Sequence, residues 1–302
     1  MDIIGHEKII SFLEKSTAND SLSHCYIFCG PNNIGKTVVA NWFAANLFKK
    51  NPADSPDFFQ IKPEKNIIPK EAVENIIPKL MMSAFCGGYK ILIVESAHLM
   101  NISAANAFLK TLEEPPKKTI IILLTSELGK ILPTIISRAT VLRFNPVEKD
   151  KLRRLLAERN VAECKNYVNL SFGRPGKIFN LLENKNWQEE KKQALLEFYN
   201  LFFGPKPERF KTSASIFKSK DSQKENIFKK TDIWLEAVRD ILLVKYRLDD
   251  NVAHSAERKL LEKIAEKGTA NYFSSLASRL IKMRKLIKNN INIQLTLENL
   301  II

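Results

Sequence analysis

The stretch "GPNNIGKT" (residues 30–37) has the spacing G-x-x-x-x-G-K-[ST]. That spacing holds phosphate. Gly30, Pro31, Asn32, Asn33, Ile34 and Gly35 form a loop whose backbone N–H groups curl around an anion. Lys36 reaches the outer phosphates, and the Thr37 hydroxyl can ligate Mg²⁺. The motif occurs by chance in unrelated chains, so its context decides. Before it, "HCYIFCG" (24–30) reads as a short buried strand ending in Gly. After it, "KTVVANWFAANLFKK" (36–50) carries Val39, Trp42, Phe43 and Leu47 at helical spacing. A helix starting at Lys36 aims its positive end at the bound anion. Strand, loop and helix in that order make phosphate binding the expectation rather than a structural turn.

Working outward, further strand candidates are "DFFQI" (57–61), "YKILIVES" (89–96), "KKTIIILLTS" (117–126) and "ATVLRF" (139–144). Continuous apolar runs separated by helices predict a parallel sheet covered on both faces. The expected fold is therefore an α/β P-loop NTPase core with a parallel five-stranded sheet. "PKEAVENIIPKLMMSAF" (69–85) opens as a helix, with Pro78 predicting a kink or a break, and "SAANAFLKTLEE" (103–114) is a helix stopped by Pro115 and Pro116. From about residue 147 the strand signals end, and helical periodicity runs through segments such as "VEKDKLRRLLAERN" and "KKTDIWLEAVRDILLVKYRL". The stretch around 203–224, with Gly204, Pro205 and Pro207, reads as a linker or loop. The division expected is 1–146, 147–202 and 203–302, the last two all-helical.

Lys and Arg number 47 against 33 Asp and Glu, a formal net charge of +14. A field of that sign favours a polyanionic partner, nucleic acid first. A Lys-rich solvated surface explains the charge equally well. No apolar run reaches membrane-spanning length, and "MDIIGHEKII" shows no secretory leader, so the expectation is a cytoplasmic protein with no membrane partner. The four cysteines, Cys25, Cys29, Cys86 and Cys164, form no C-x-x-C pair. They are expected as free thiols, with Cys25 and Cys29 on one strand face as small buried hydrophobes.

P-loop NTPases place an Asp at the end of a neighbouring apolar strand to hold the metal. Here "ILIV" (91–94) ends in Glu95 and then Ser96. Glu95 can reach Mg²⁺ on its longer arm, but a serine hydroxyl is too weak an acid to serve as a base for water. This degenerate acid pair predicts nucleotide binding with hydrolysis absent or weak. The plain alternative makes Glu95 and His98 ordinary polar residues at a strand exit.

The next runs point to a family. "NISAANAFLKTLEEPP" (101–116) and "IIILLTSELGKILPTIISRA" (120–139) strongly resemble the clamp-loader branch of the AAA+ ATPases, and more closely its delta-prime subunits of bacterial DNA polymerase III. The resemblance extends through "IIGHEKIISFL" (3–13), "SFGRPGKIFNLL" (171–182) and the C-terminal "NNINIQLTLENLII" (289–302), and so covers essentially the whole chain. It implies an AAA+ core (1–146), a helical lid (147–202) and a helical collar (203–302) that assembles beside other subunits. It implies that Thr125, at the sensor-1 position, feels the terminal phosphate. It implies that Arg138 in "SRA" is an arginine finger acting in trans, a role suited to an always-charged group that bridges two phosphate oxygens. Without the surrounding motif, Arg138 would read as a helix-end residue making a salt bridge.

This chain departs from the family pattern in four places. Ala139 stands where the family has Cys. Glu95-Ser96 replaces the acid pair. "GRPG" aligns Gly176 at the sensor-2 position, with Arg174 and Lys177 displaced. "LFKKNPADSPDFF" (47–59) lacks the four-Cys module of many relatives, so no zinc is expected. The expected role is a clamp-loader subunit that helps load a sliding clamp onto primed DNA, within a heteropentamer of gamma/tau-type and delta-type subunits. It would hold ATP with Mg²⁺ weakly or structurally and contact DNA phosphates. An active gamma/tau-type motor is the alternative within the class, and an AAA+ switch adaptor outside replication the alternative beyond it.

Overall fold

The computed structural model describes residues 3–85, 88–162, 164–184, 186–217, 223–288 and 291–301. The chain divides into two compact units, residues 1–155 with 173–177, and residues 156–172 with 178–302.

In the first unit, α1 (Glu7–Ala18) precedes β1 (Cys25–Cys29), and α2 (Lys36–Phe48) follows the phosphate loop. Then come β2 (Phe58–Ile61), the short helices α3 (Lys70–Glu74) and α4 (Ile77–Met81), β3 (Lys90–Val94) and α5 (Ile102–Glu113). The unit's sheet is completed by β4 (Thr119–Thr125), α6 (Pro133–Ile136) and β5 (Thr140–Arg143). All pairings are parallel, in the order β2-β3-β4-β1-β5.

Period-two alternation sorts the strand side chains between two apolar layers. Tyr26, Phe28, Ile91, Ile93, Ile120, Ile122 and Leu124 pack with Leu13, Val39, Ala40 and Phe43 of α1 and α2. Cys25, Ile27, Leu92, Val94, Ile121 and Leu123 pack with Val73, Leu80, Phe108, Leu112 and Ile135 of α3 to α6. All seven residues of β4 are buried, which is why that strand reads as an unbroken apolar run. Each buried Ile or Leu contributes roughly 1.5–3 kcal/mol.

Pro78 resolves as a break: α3 ends at Glu74, and Pro78 sits in the first turn of α4, where a missing N–H costs nothing. Lys90 is a strand residue buried at 2 % exposure. Its ammonium donates to the carbonyls of Lys79 (2.9 Å) and Leu80 (2.7 Å) in the last turn of α4, where carbonyl dipoles favour a cation. Asn101 caps α5, its side-chain oxygen accepting from the Ala104 N–H at 2.7 Å.

After β5 run α7 (Lys149–Glu158), α8 (Cys164–Ser171), α9 (Pro175–Glu183), α10 (Trp187–Phe203) and α11 (Lys206–Phe217). The last are α12 (Gln223–Lys245), α13 (Arg258–Ala265), α14 (Ala270–Lys288) and α15 (Ile293–Ile301). Among the described residues, the second unit contains no strand. The expected loop at 203–224 is corrected: residues 206–217 form α11. Pro205 and Pro207 flank its start, where proline initiates rather than breaks a helix. Positions 218–222 lie outside the described residues.

Trp234, Val238 and Ile241 of α12 are buried in this unit's core with Phe198 and Phe202 of α10 and Phe273, Leu276 and Leu280 of α14. The Trp234 indole donates to the Ala194 carbonyl at 2.8 Å. The apolar face of α12 thus packs within its own unit. Cys25, Cys29 and Cys164 are free thiols, and Cys86 lies outside the described residues. No described helix is long and apolar enough to cross a membrane.

Candidate functional site

Parallel pairing brings the C-terminal ends of β1, β4 and β3 to one edge of the sheet. Thr125 closes β4 opposite Cys29 of β1, and the Gly30 N–H donates to the Thr125 carbonyl at 3.1 Å. The phosphate loop leaves β1 at this point. Asn33 (φ 63°) and Gly35 (φ 110°) take left-handed conformations that turn the backbone back on itself. The Gly35 conformation is one L side chains rarely adopt, so the motif glycine is required by the curve. The first helical hydrogen bond of α2, Val39 N–H to the Gly35 carbonyl, follows at 3.0 Å.

Lys36 lies inside this loop at 9 % exposure. Its ammonium donates to the carbonyls of Gly30 (2.6 Å) and Pro31 (2.7 Å). Burial pulls its pKa down from 10.5 to about 8. A desolvated cation resting on carbonyl dipoles is prepared for an anion, which would restore the lost charge stabilisation. The residues fit a phosphate group on this ground. Thr37 follows at the first turn of α2, half-buried.

Two braces hold the loop that the sequence did not reveal. The His6 Nε2 lies 2.9 Å from the Ile34 carbonyl, to which it donates, and its ring packs against Phe144 with centroids 4.7 Å apart. Burial lowers the His6 pKa, which keeps the ring neutral at ordinary pH. Gly176 donates its backbone N–H to the Asn33 carbonyl at 2.9 Å. A Cβ at Gly176 would come within 2.9 Å of that same oxygen. Gly176, expected from the resemblance at the sensor-2 position, contributes a backbone contact to the loop, and the glycine permits it.

At the end of β3, Glu95 faces the edge of the sheet away from β1. Its Oε1 accepts from the Gln60 amide at 2.7 Å and lies 3.7 Å from the Lys62 ammonium. Both partners come from β2 or just after it. Ser96 sits at φ 50°, ψ 47°, and its carbonyl accepts from the Leu99 N–H at 2.8 Å. Thr125 is 1 % exposed. Its hydroxyl accepts from the Glu127 N–H at 3.1 Å and lies 3.3 Å from the His98 Nδ1. His98 is therefore more than a polar residue at a strand exit. It joins β3's exit to the end of β4, a contact that no local pattern signals.

Arg138 stands apart from the loop, just past α6. Its guanidinium donates to the Thr134 carbonyl (3.0 Å), to the Ser137 hydroxyl (3.4 Å) and to Glu113 at the end of α5 (2.9 Å). The side chain keeps 36 % of its surface exposed. It makes no hydrogen bond to residues 30–37. Among the described residues no group of three or more His, Cys, Asp or Glu could hold a metal ion.

A family model described as "DNA polymerase III, delta subunit" matches residues 5–148. The chain is similar to the DNA polymerase III subunit delta' of Bacillus subtilis, at 24% identity over 98% of this chain and 94% of that one. It is 36% identical to the Escherichia coli subunit delta' over a stretch covering 44% of this chain and 41% of that one. A solved structure of a DNA polymerase III gamma subunit-related protein from Thermotoga maritima shares the fold, with a TM-score of 0.52 at 19% identity over 96% of this chain and 97% of that one. With a phosphate loop on the first strand of a β2-β3-β4-β1-β5 parallel sheet and a helical second unit, the chain has the fold of an AAA+ P-loop protein, and along almost all its length it is similar to the delta-prime subunits of bacterial DNA polymerase III.

Proposed function

We propose that this clamp-loader subunit acts in replication as an arginine donor whose own nucleotide site binds without turnover. The observation that carries the reading is the state of the acid pair. Glu95 is bound to Gln60 and near Lys62, and a serine stands where the water-activating carboxylate would be. Residues 30–37 would hold the phosphates of ATP, with Lys36 on the outer ones. Thr37 would supply a hydroxyl to Mg²⁺, which when bound would neutralise phosphate charge, and Glu95 would reach the ion only by leaving Gln60 and Lys62. This chain's own residues bind and orient the nucleotide and leave the attacking water without a base.

Arg138 acts elsewhere. A guanidinium reaching a neighbouring subunit's nucleotide stabilises charge in phosphoryl transfer, an effect worth on the order of 10³–10⁵ in rate. Its exposure on the protein surface supports that use, and its partners there are exchangeable: one carboxylate, one carbonyl and one hydroxyl. In this reading residues 147–202 serve as the lid and 203–302 as the collar of a heteropentamer with gamma/tau-type and delta-type subunits. The net charge of +14 supports contacts to the phosphates of primed DNA rather than to bases. The assembly would load a sliding clamp and work in the bacterial cytoplasm.

The test is ATP turnover by the reconstituted loader with clamp and primed DNA, comparing wild type with Arg138→Ala and Lys36→Ala. The expected result is a large loss from Arg138→Ala and little loss from Lys36→Ala. If Lys36→Ala alone abolishes turnover, the chain is a gamma/tau-type motor and the reading of Ser96 is wrong.

A further inference from the structure

The Thr125 hydroxyl stands on the strand next to the phosphate loop, held there by the Gly30 N–H on its own carbonyl. A phosphate oxygen only accepts hydrogen bonds, so this hydroxyl can bind one only by giving its proton. It has one proton and two lone pairs to assign. The Glu127 N–H occupies one lone pair, at 3.1 Å. The remaining neighbour is the His98 Nδ1, at 3.3 Å.

Which of the two donates depends on the other ring nitrogen. The His98 Nε2 faces the Ser126 hydroxyl at 3.5 Å and the Glu127 carboxylate at 3.9 Å. A carboxylate beside Nε2 favours the N–H at that position. The Nδ1 of the neutral ring is then an acceptor, and Thr125 gives it its only proton. What the hydroxyl has left is a lone pair, which repels a phosphate oxygen.

We propose that His98 is a positioning residue that withholds the Thr125 proton from a terminal phosphate, so that the site takes ATP and ADP with nearly equal affinity. This rests on the reading that residues 30–37 bind a nucleotide. It adds a second reason, independent of Ser96, why the site holds a nucleotide without responding to its last phosphate. A purely structural His98, tying the turn at residues 97–99 to the end of β4, would alter both affinities together or neither.

The experiment measures dissociation constants for Mg-ATP and Mg-ADP by titration calorimetry on the full chain. It uses wild type, His98→Leu, Thr125→Val and the double variant. The expected ATP-over-ADP preference is within about twofold in wild type. In His98→Leu it rises about tenfold, the size of one hydrogen bond donated to a charged acceptor. The double variant matches Thr125→Val. An unchanged ratio in His98→Leu, or an equal change in the Thr125→Val background, overturns the proposal while leaving nucleotide binding intact. If wild type binds neither nucleotide, the nucleotide reading itself is overturned, and this proposal with it. A second readout needs no variant: long-range proton–nitrogen NMR of the wild-type histidines should show His98 protonated at Nε2 and bare at Nδ1. The opposite tautomer overturns the proposal.

Discussion

Lys36→Met removes a buried charge and keeps most of the side chain's length. At 9 % exposure the Lys36 ammonium is largely cut off from water, and burial brings its pKa from 10.5 to about 8. Below about pH 8 the group is charged in both folded and unfolded chains, so the cost of burying that charge is fully present. Between about 8 and 10.5 the folded chain has released the proton and the unfolded chain has not, so stability rises with pH. Above 10.5 both are neutral and nothing more is gained. At about 1.4 kcal/mol per pH unit the interval corresponds to about 3 kcal/mol. Solvent entering past the exposed Pro31 and Asn32 reduces it to about 2 kcal/mol. The assay is urea unfolding of wild type and Lys36→Met at pH 7 and pH 10.5, taking the difference between the two proteins at each pH so that other titrations cancel. Wild type should gain about 2 kcal/mol on the variant across that range. Saturating pyrophosphate, which would keep the ammonium charged, should abolish the gain. A difference constant to about 0.5 kcal/mol, the error of the extrapolation, would refute the claim that the loop buries an unneutralised cation.

Gly176→Ala should push residues 173–177 off the loop, because its Cβ would meet the Asn33 carbonyl at 2.9 Å. A loss of roughly 1–3 kcal/mol is expected, seen as a lower melting temperature together with weaker nucleotide binding. Asp240→Ala in the second unit should cost about 3–5 kcal/mol in urea unfolding. That fully buried carboxylate accepts from the N–H groups of Ala253 (2.9 Å) and His254 (2.8 Å) and from the His254 ring (2.8 Å), all of which would be left without it. Cys25, whose thiol burial pushes up to about 12, should resist iodoacetamide in the native protein at pH 8 and react only on unfolding. Rapid native labelling would mean that β1 opens locally.

Much of the core was legible because burial on both faces writes a continuous apolar run into each strand. Each of the five observed strands begins and ends within two residues of its expected run. The failure at 206–217 has a local cause: proline and glycine mark a helix start and a loop alike, and only the chain downstream decides between them. Pro78 left the same ambiguity between a kink and a break.

The motif residues were legible for a related reason. Gly30 to Thr37 are contiguous, and the loop is shaped by their own backbone and the Lys36 side chain within it, so spacing alone reveals it. What surrounds them was not legible. Gln60 holds Glu95 from 35 residues away, Ile34 meets His6 across 28, Thr125 meets His98 across 27, and Glu113 engages Arg138 across 25. No periodicity encodes such pairs, because each depends on the order in which parallel strands lie side by side. The sequence by itself determined the phosphate-loop spacing, an α/β core, a helical remainder and a serine directly after the acid that follows the third strand. Only the tertiary structure decided the strand order, and with it that the remaining acid is held toward β2, that the Thr125 hydroxyl meets an imidazole, and that Arg138 rests on a carboxylate at the surface. Periodicity records whether a residue is buried; its partner is set by topology, which no single segment contains.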